Sequence, residues 1–214
     1  MREKTESIPL PMLKRGLIAI LRGIKPEEAE GVADTLVQAG FEVMEVPLNS
    51  PDPLRSIELI SRKYAGEILV GAGTVLKSSD VDEVAKAGGR LIISPNVKRK
   101  VVERSAALGL VSMPGVLTPT EAHQALQYGA SALKFFPASV IGPEGIQAIK
   151  AILPVNTIIG AVGGVTDQSF RDYWRVGVRV FGIGSNLYKP GDSLSVIKKK
   201  AETIVSAYDE AVSG

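Results

Sequence analysis

The feature that most constrains this chain is a recurring unit in which a helical pattern closes on a glycine and a short apolar run follows at once. Gln38-Ala39-Gly40 leads into Phe41 to Val46, Lys86-Ala87-Gly88 into Leu91 to Ser94, and Leu108-Gly109 into Leu110 to Met113. Tyr128-Gly129 leads into Ala132 to Phe136, and Val176-Gly177 into Val178 to Ile183. Glycine ends a helix because it enters the left-handed region without a Cβ penalty, and a helix that recurs between strands gives parallel βα units. Strands are expected at Leu17 to Leu21, Glu42 to Leu48, Ile68 to Gly71, Leu91 to Ser94, Leu110 to Met113, Ala132 to Phe136, Thr157 to Val162 and Val178 to Ile183. Eight such strands, with eight helices counting an N-terminal one around Pro11 to Arg15, predict a (β/α)8 TIM barrel of the α/β class. An open doubly wound sheet is the alternative. No linker or composition break divides residues 1–214, so one domain is expected.

Helix starts agree with that spacing. Pro26 stands at a first helical position before Glu27-Glu28, Thr118-Pro119-Thr120-Glu121 has capping-box spacing, and Asn96 and Asp192 are candidate caps for the helices after them.

Composition removes several kinds of chemistry. The absence of cysteine excludes disulfides, thiolate catalysis and cysteine zinc sites, and a single histidine, His123, argues against a histidine metal centre or a histidine triad. A net charge of +2 gives no footprint for nucleic acid or an anionic membrane surface. No run reaches the ~18 apolar residues of a membrane span and no signal-peptide core is present, so a cytoplasmic protein is expected.

Against that background one amine stands out. Lys134 interrupts Ala132-Leu133-Lys134-Phe135-Phe136-Pro137, a run that otherwise reads as a buried strand. It either snorkels to solvent or a carboxylate, or sits desolvated. A free lysine titrates near ~10.4, and bringing it close to neutrality takes roughly 4 kcal/mol of differential environment, which a dry pocket supplies. Glu45 likewise interrupts an apolar strand, as a salt-bridge partner for Lys134 or Arg22 or as the proton shuttle that imine chemistry needs.

In a barrel of this kind chemistry gathers at the C-terminal ends of the strands. There the chain has Arg22-Gly23, Glu45, Gly71-Ala72-Gly73-Thr74, Ser94-Pro95-Asn96, Lys134, Gly163-Gly164 and Gly184-Ser185. The Arg22 guanidinium suits bidentate carboxylate binding or a structural clamp, and Thr74 either offers a hydroxyl to the same group or caps a turn. The glycine turns after the last two strands bring backbone N–H groups where a phosphate can approach, although tight turns also demand glycine.

Taken together, Ile20-Leu21-Arg22-Gly23, Glu45-Val46-Pro47-Leu48, Gly71-Ala72-Gly73-Thr74-Val75, Ser94-Pro95-Asn96, Pro114-Gly115, Leu133-Lys134-Phe135-Phe136-Pro137-Ala138 and Val162-Gly163-Gly164-Val165 resemble the 2-keto-3-deoxy-6-phosphogluconate/4-hydroxy-2-oxoglutarate aldolase family. The resemblance spans nearly the whole chain and implies a homotrimeric barrel with class I aldolase chemistry that needs no metal or other cofactor. It implies Lys134 as the Schiff-base lysine and Glu45 as the general acid/base. Arg22, Thr74 and Pro95 are then expected at the keto-acid end, Phe136 against the pyruvyl portion, and Gly163, Gly164, Gly184 and Ser185 at the phosphate. Gluconate-type members commonly carry a Leu-Arg-Thr-Pro-like stretch after the strand-two glutamate and threonine before the double glycine. This chain has Asn49 within Leu48-Asn49-Ser50-Pro51, and Val162. Both departures match the 2-dehydro-3-deoxy-6-phosphogalactonate aldolase branch, which implies cleavage of that phosphorylated keto-deoxy sugar acid to pyruvate and D-glyceraldehyde 3-phosphate. The gluconate epimer or 4-hydroxy-2-oxoglutarate is the alternative substrate, and a non-catalytic sugar-phosphate binding barrel is the alternative of another class.

Overall fold

The computed structural model describes residues 6–213. Its strands are β1 (Leu17–Ile20), β2 (Val43–Pro47), β3 (Leu69–Gly73), β4 (Leu91–Ile93), β5 (Val111–Met113), β6 (Gly115–Val116), β7 (Leu133–Phe135), β8 (Ile159–Val162) and β9 (Val180–Ile183). The helices are α1 (Pro26–Ala39), α2 (Pro53–Tyr64), α3 (Ser78–Lys86), α4 (Arg99–Ala107), α5 (Pro119–Gln127), α6 (Ala138–Lys150), α7 (Phe170–Arg175) and α8 (Leu194–Ser213). All strand pairings are parallel, in the order β5-β4-β3-β2-β1-β9-β8-β7-β6.

The two ends of that order adjoin in the chain: β5 falls in the predicted strand Leu110 to Met113, and β6, which was not predicted, continues it past Pro114. Proline has no N–H to give to a ladder, so pairing breaks there. The β5 half pairs with β4 and the β6 half with β7, and the Pro114 carbonyl accepts from the Lys134 N–H at 3.0 Å, closing the barrel.

Alternation along the strands separates two apolar layers. Leu17, Ala19, Met44, Val46, Leu133 and Phe135 face the helices, while Ile18, Val43, Leu69, Leu91, Val111, Met113, Ala132 and Val180 fill the barrel interior. Under α7 and α8, Phe170, Phe181 and Tyr208 pack as a ring cluster, with Phe170 and Phe181 centroids 4.8 Å apart. Each side chain so buried contributes on the order of 1.5–3 kcal/mol.

The expected N-terminal helix at Pro11 to Arg15 does not form. Pro9 and Pro11 remove backbone donors and push the preceding residues toward extended geometry. The N–H groups of Lys14 and Arg15 go to Glu42 Oε2 at 2.7 and 3.2 Å, and that of Gly16 to the Tyr208 hydroxyl at 3.0 Å. Arg15 makes a two-bond fork to Asp209 of α8. Ile8, Leu10 and Leu13 are thereby seated on the floor of the barrel. The segment is a plug, and it closes the end opposite the candidate site.

Two caps also differ from expectation. Helix α4 begins at Arg99, beyond Asn96, and the residue capping α8 is Ser193, whose Oγ accepts from the Val196 N–H, while Asp192 pairs with Lys200. The Thr118 capping box forms as the spacing predicts, with Glu121 N–H donating to Thr118 Oγ1 and Glu121 Oε2 accepting from Thr118 N–H.

Candidate active site

The interior of the barrel is packed at the floor and hollow at the C-terminal mouth, because several of the inward positions there are glycines. In the ladder Lys134 stands between Gly115 and Gly160, and Glu45 stands beside Gly71. A Cβ built on Gly73 would overlap the Glu45 carboxylate, so that carboxylate rests directly on the β3 backbone. The result is a cavity of about 390 Å³. Its walls include eleven of the twelve residues expected from the sequence: Arg22, Glu45, Thr74, Pro95, Lys134, Phe136, Val162, Gly163, Gly164, Gly184 and Ser185.

Lys134 and Glu45 are both buried, 6% and 2% exposed. Among the described residues Glu45 Oε2 has no hydrogen-bond partner. A buried carboxylate oxygen left unpaired costs free energy unless a substrate or water completes it, which marks a functional position more than a structural one. Burial pushes the Glu45 carboxyl up to about 7, against the pull of the Lys134 and Arg22 charges. Burial also pulls the Lys134 amine down, opposed by Glu45 and helped by Arg22. Both shifts favour the neutral forms, an amine that can act as a nucleophile and a carboxyl that can act as an acid in one mouth. The Lys134 Nζ lies over the Phe136 ring, 4.7 Å from its centroid, so a cation formed on that nitrogen meets the negative face of an aromatic.

Gly163 lies against the Phe136 ring, where a Cβ would stand 3.1 Å from two ring carbons. Gly163 and Gly164 are both left-handed, with φ of 89° and 78°. Glycine adopts that backbone without a Cβ clash, which leaves the turn bare of side chains where a ligand can approach its N–H groups. The Gly163 carbonyl accepts from the Ser139 N–H at 3.0 Å, fixing this turn to the start of α6. After the neighbouring strand β9, Gly184 and Ser185 line the same cavity, and the Gly184 carbonyl holds the N–H groups of Leu187 and Tyr188.

Thr74 also has positive φ, 58°. A β-branched residue is strained in that region, and the strain turns its backbone sharply out of β3 at the mouth. Val162, 6% exposed, gives the cavity an apolar wall where Gly182 leaves room for its methyls.

Asn49 is the twelfth expected residue, and it stands outside the cavity wall; its Oδ1 accepts from Arg22 Nη1 at 2.6 Å. Sequence reasoning passed over Ile20, Val165, Thr166, Gly182 and Asn186, all of which line the cavity. Period-two alternation from Ile18 would have found Ile20, and extending the two glycine turns by a few residues would have found the others except Gly182. A cavity of about 400 Å³ also opens between α2 and α3, near Ser61, Arg62, Lys86 and Arg90, but it is at the floor end and holds no buried amine or acid.

Comparison with known proteins agrees with this geometry. A family model described as KDPG and KHG aldolase matches residues 11–204. The chain is 54% identical to a Rhizobium meliloti (strain 1021) protein named probable 2-dehydro-3-deoxy-6-phosphogalactonate aldolase, over 98% of this chain and 99% of that one. It is 45% identical to the Escherichia coli (strain K12) 2-dehydro-3-deoxy-6-phosphogalactonate aldolase, over 93% and 97%. Among solved structures, one described as native KDPGal superposes with a TM-score of 0.93 at 44% identity, covering 95% of this chain and 98% of the other. With a buried lysine and glutamate lining one mouth of a parallel barrel, and with matches along nearly its full length, the chain belongs to the KDPG and KHG aldolase family.

Proposed function

We propose that the protein is a class I aldolase that cleaves 2-dehydro-3-deoxy-6-phospho-D-galactonate to pyruvate and D-glyceraldehyde 3-phosphate. The observation that carries the proposal is the desolvated Lys134 amine in a cavity it shares with the protonatable Glu45 carboxyl. Neutral Lys134 attacks the C2 ketone, and Glu45 passes protons as the carbinolamine forms and loses water. The resulting iminium draws the C3–C4 electron pair as the C4 hydroxyl gives its proton to Glu45, directly or through a water. The aldehyde leaves, a pyruvate enamine remains, and protonation at C3 followed by hydrolysis frees pyruvate and the lysine.

Arg22 and Thr74 hold the carboxylate, Pro95 and Phe136 bound the pyruvyl portion, and the N–H groups of the Gly163-Gly164 and Gly184-Ser185 turns hold the phosphate. The galactonate epimer is favoured by the names of the similar proteins and by Val162, whose apolar side chain offers no hydrogen bond to a sugar hydroxyl. The chain acts as one barrel unit without a cofactor, as a homotrimer, and in the cytoplasm. Among the described residues no helix is long and apolar enough to cross a membrane.

Borohydride reduction in the presence of pyruvate should add the reduced three-carbon adduct to Lys134, and a coupled lactate dehydrogenase assay should show pyruvate release from the galactonate substrate ahead of its gluconate epimer. Labelling at another lysine, or ligand binding without pyruvate release, would overturn the proposal. The trimer is checked by sedimentation.

A further inference from the structure

We propose that the loop after β2 is a positioning device for Arg22, in which Asn49 orients the guanidinium and Ser50 anchors the backbone beneath it, so that Asn49 governs keto-acid binding without touching the substrate. The inference rests on the proposed binding of the substrate carboxylate by Arg22.

Arg22 leaves the end of β1 on a long side chain and is exposed at the mouth. Such a side chain loses much rotamer freedom when it is held in one place, so a ligand carboxylate meets a better partner if the protein has already ordered it. Two hydrogen bonds do this from the neighbouring strand. Arg22 Nη1 donates to Asn49 Oδ1 at 2.6 Å, and the Gly23 N–H donates to Ser50 Oγ at 2.9 Å. Ser50 is itself buried, and its N–H is tied to the Pro47 carbonyl at 2.9 Å. On the opposite side Pro190 backs the turn, since a Cβ at left-handed Gly23 would come within 2.7 Å of its ring. The Arg22-Gly23 turn is thus held from both sides, while Arg22 lines the cavity and Asn49 does not.

The choice of an amide at position 49 has a chemical consequence. A neutral oxygen accepts one guanidinium N–H and leaves the positive charge and the remaining donors for an incoming carboxylate. An aspartate in the same place would accept the same bond but neutralise the charge, and would compete with the ligand it is meant to help.

The test is a comparison of Asn49→Ala, Asn49→Asp, Arg22→Ala and the Arg22→Ala/Asn49→Ala double variant, in the aldol direction with pyruvate varied against saturating D-glyceraldehyde 3-phosphate. Thermal melting serves as the folding control. Asn49→Ala should raise KM for pyruvate by about tenfold with kcat changed by less than about threefold. Asn49→Asp should raise KM further, toward the Arg22→Ala value, and the double variant should be no worse than Arg22→Ala alone. An Asn49→Asp KM at or below that of Asn49→Ala, or additive losses in the double variant, would overturn the positioning role while leaving the Arg22 assignment standing. An unchanged KM in Arg22→Ala would remove both. Borohydride trapping of pyruvate on Lys134 is independent of either result, so failure of the aldolase reading itself is seen separately.

Discussion

Replacing Glu45 by glutamine separates what the carboxylate does for the reaction from what it costs the fold. In the native state burial carries its titration from the ordinary 4.5 up to about 7. The folded protein then holds this proton more tightly than the unfolded chain does, so the group's contribution to stability is fully present below 4.5 and is lost as pH rises through about 7. Each pKa unit is worth 1.36 kcal/mol, so the loss between acid pH and pH 8.5 is about 3 kcal/mol. Lys134 works in the other direction. Its depressed pKa means that the native state binds fewer protons than the unfolded chain, and stability from this group rises with pH below 10.5. The attraction between ionised Glu45 and Lys134 is a single interaction that already helps set the Glu45 titration, so it is counted once. The Glu45 shift therefore sets the difference: near pH 5 the two proteins should be equally stable to within about 1 kcal/mol, and near pH 8.5 the glutamine variant should be the more stable by about 3 kcal/mol. Urea unfolding of both proteins at the two pH values measures the difference, while turnover of the variant should fall by ~10²–10⁴ at either pH. If the two stability curves run parallel in pH, the Glu45 carboxyl titrates alike in the folded and the unfolded chain and the electrostatic account of the site is wrong.

Two further outcomes follow from the same walls. Gly73→Ala adds a methyl that overlaps the Glu45 carboxylate, so it should lower stability by about 1–3 kcal/mol and turnover by ~10²-fold, with Lys134 still trapped by pyruvate and borohydride; unchanged turnover would show that the carboxylate need not sit where it does. Val162→Thr adds a hydroxyl to the apolar wall and should move the ratio of kcat/KM toward the gluconate epimer by about tenfold, read in the coupled pyruvate assay with both sugar acids.

How the chain divides between what can be read and what must be folded is clearest at particular residues. The βα rhythm, the Thr118 capping box and the glycine turns at Gly163-Gly164 and Gly184-Ser185 are local: each depends on bonds or torsions within a few residues, so the order of amino acids is enough to specify them. Alternation also shows, without coordinates, that Lys134 and Phe136 share a face of their strand and that Leu133 and Phe135 take the other. Alternation alone does not say which face is inside. That is decided by closure of the barrel through Pro114, which brings Gly115 and Gly160 beside Lys134 and leaves it a cavity in place of solvent.

The N-terminal segment shows the same limit from the other side. Pro11 to Arg15 has a composition a helix tolerates, but Glu42, Tyr208 and Asp209 take its donors and the barrel floor takes its apolar side chains. Asn49 looks from its position like a wall of the site and proves to be a partner of Arg22, 27 residues away in the chain. Sequence by itself therefore determined the strand order and which residues line the site. Tertiary structure decided which way they face, how dry they are and what holds them, because desolvation and hydrogen bonding depend on atoms that only the closed barrel brings together.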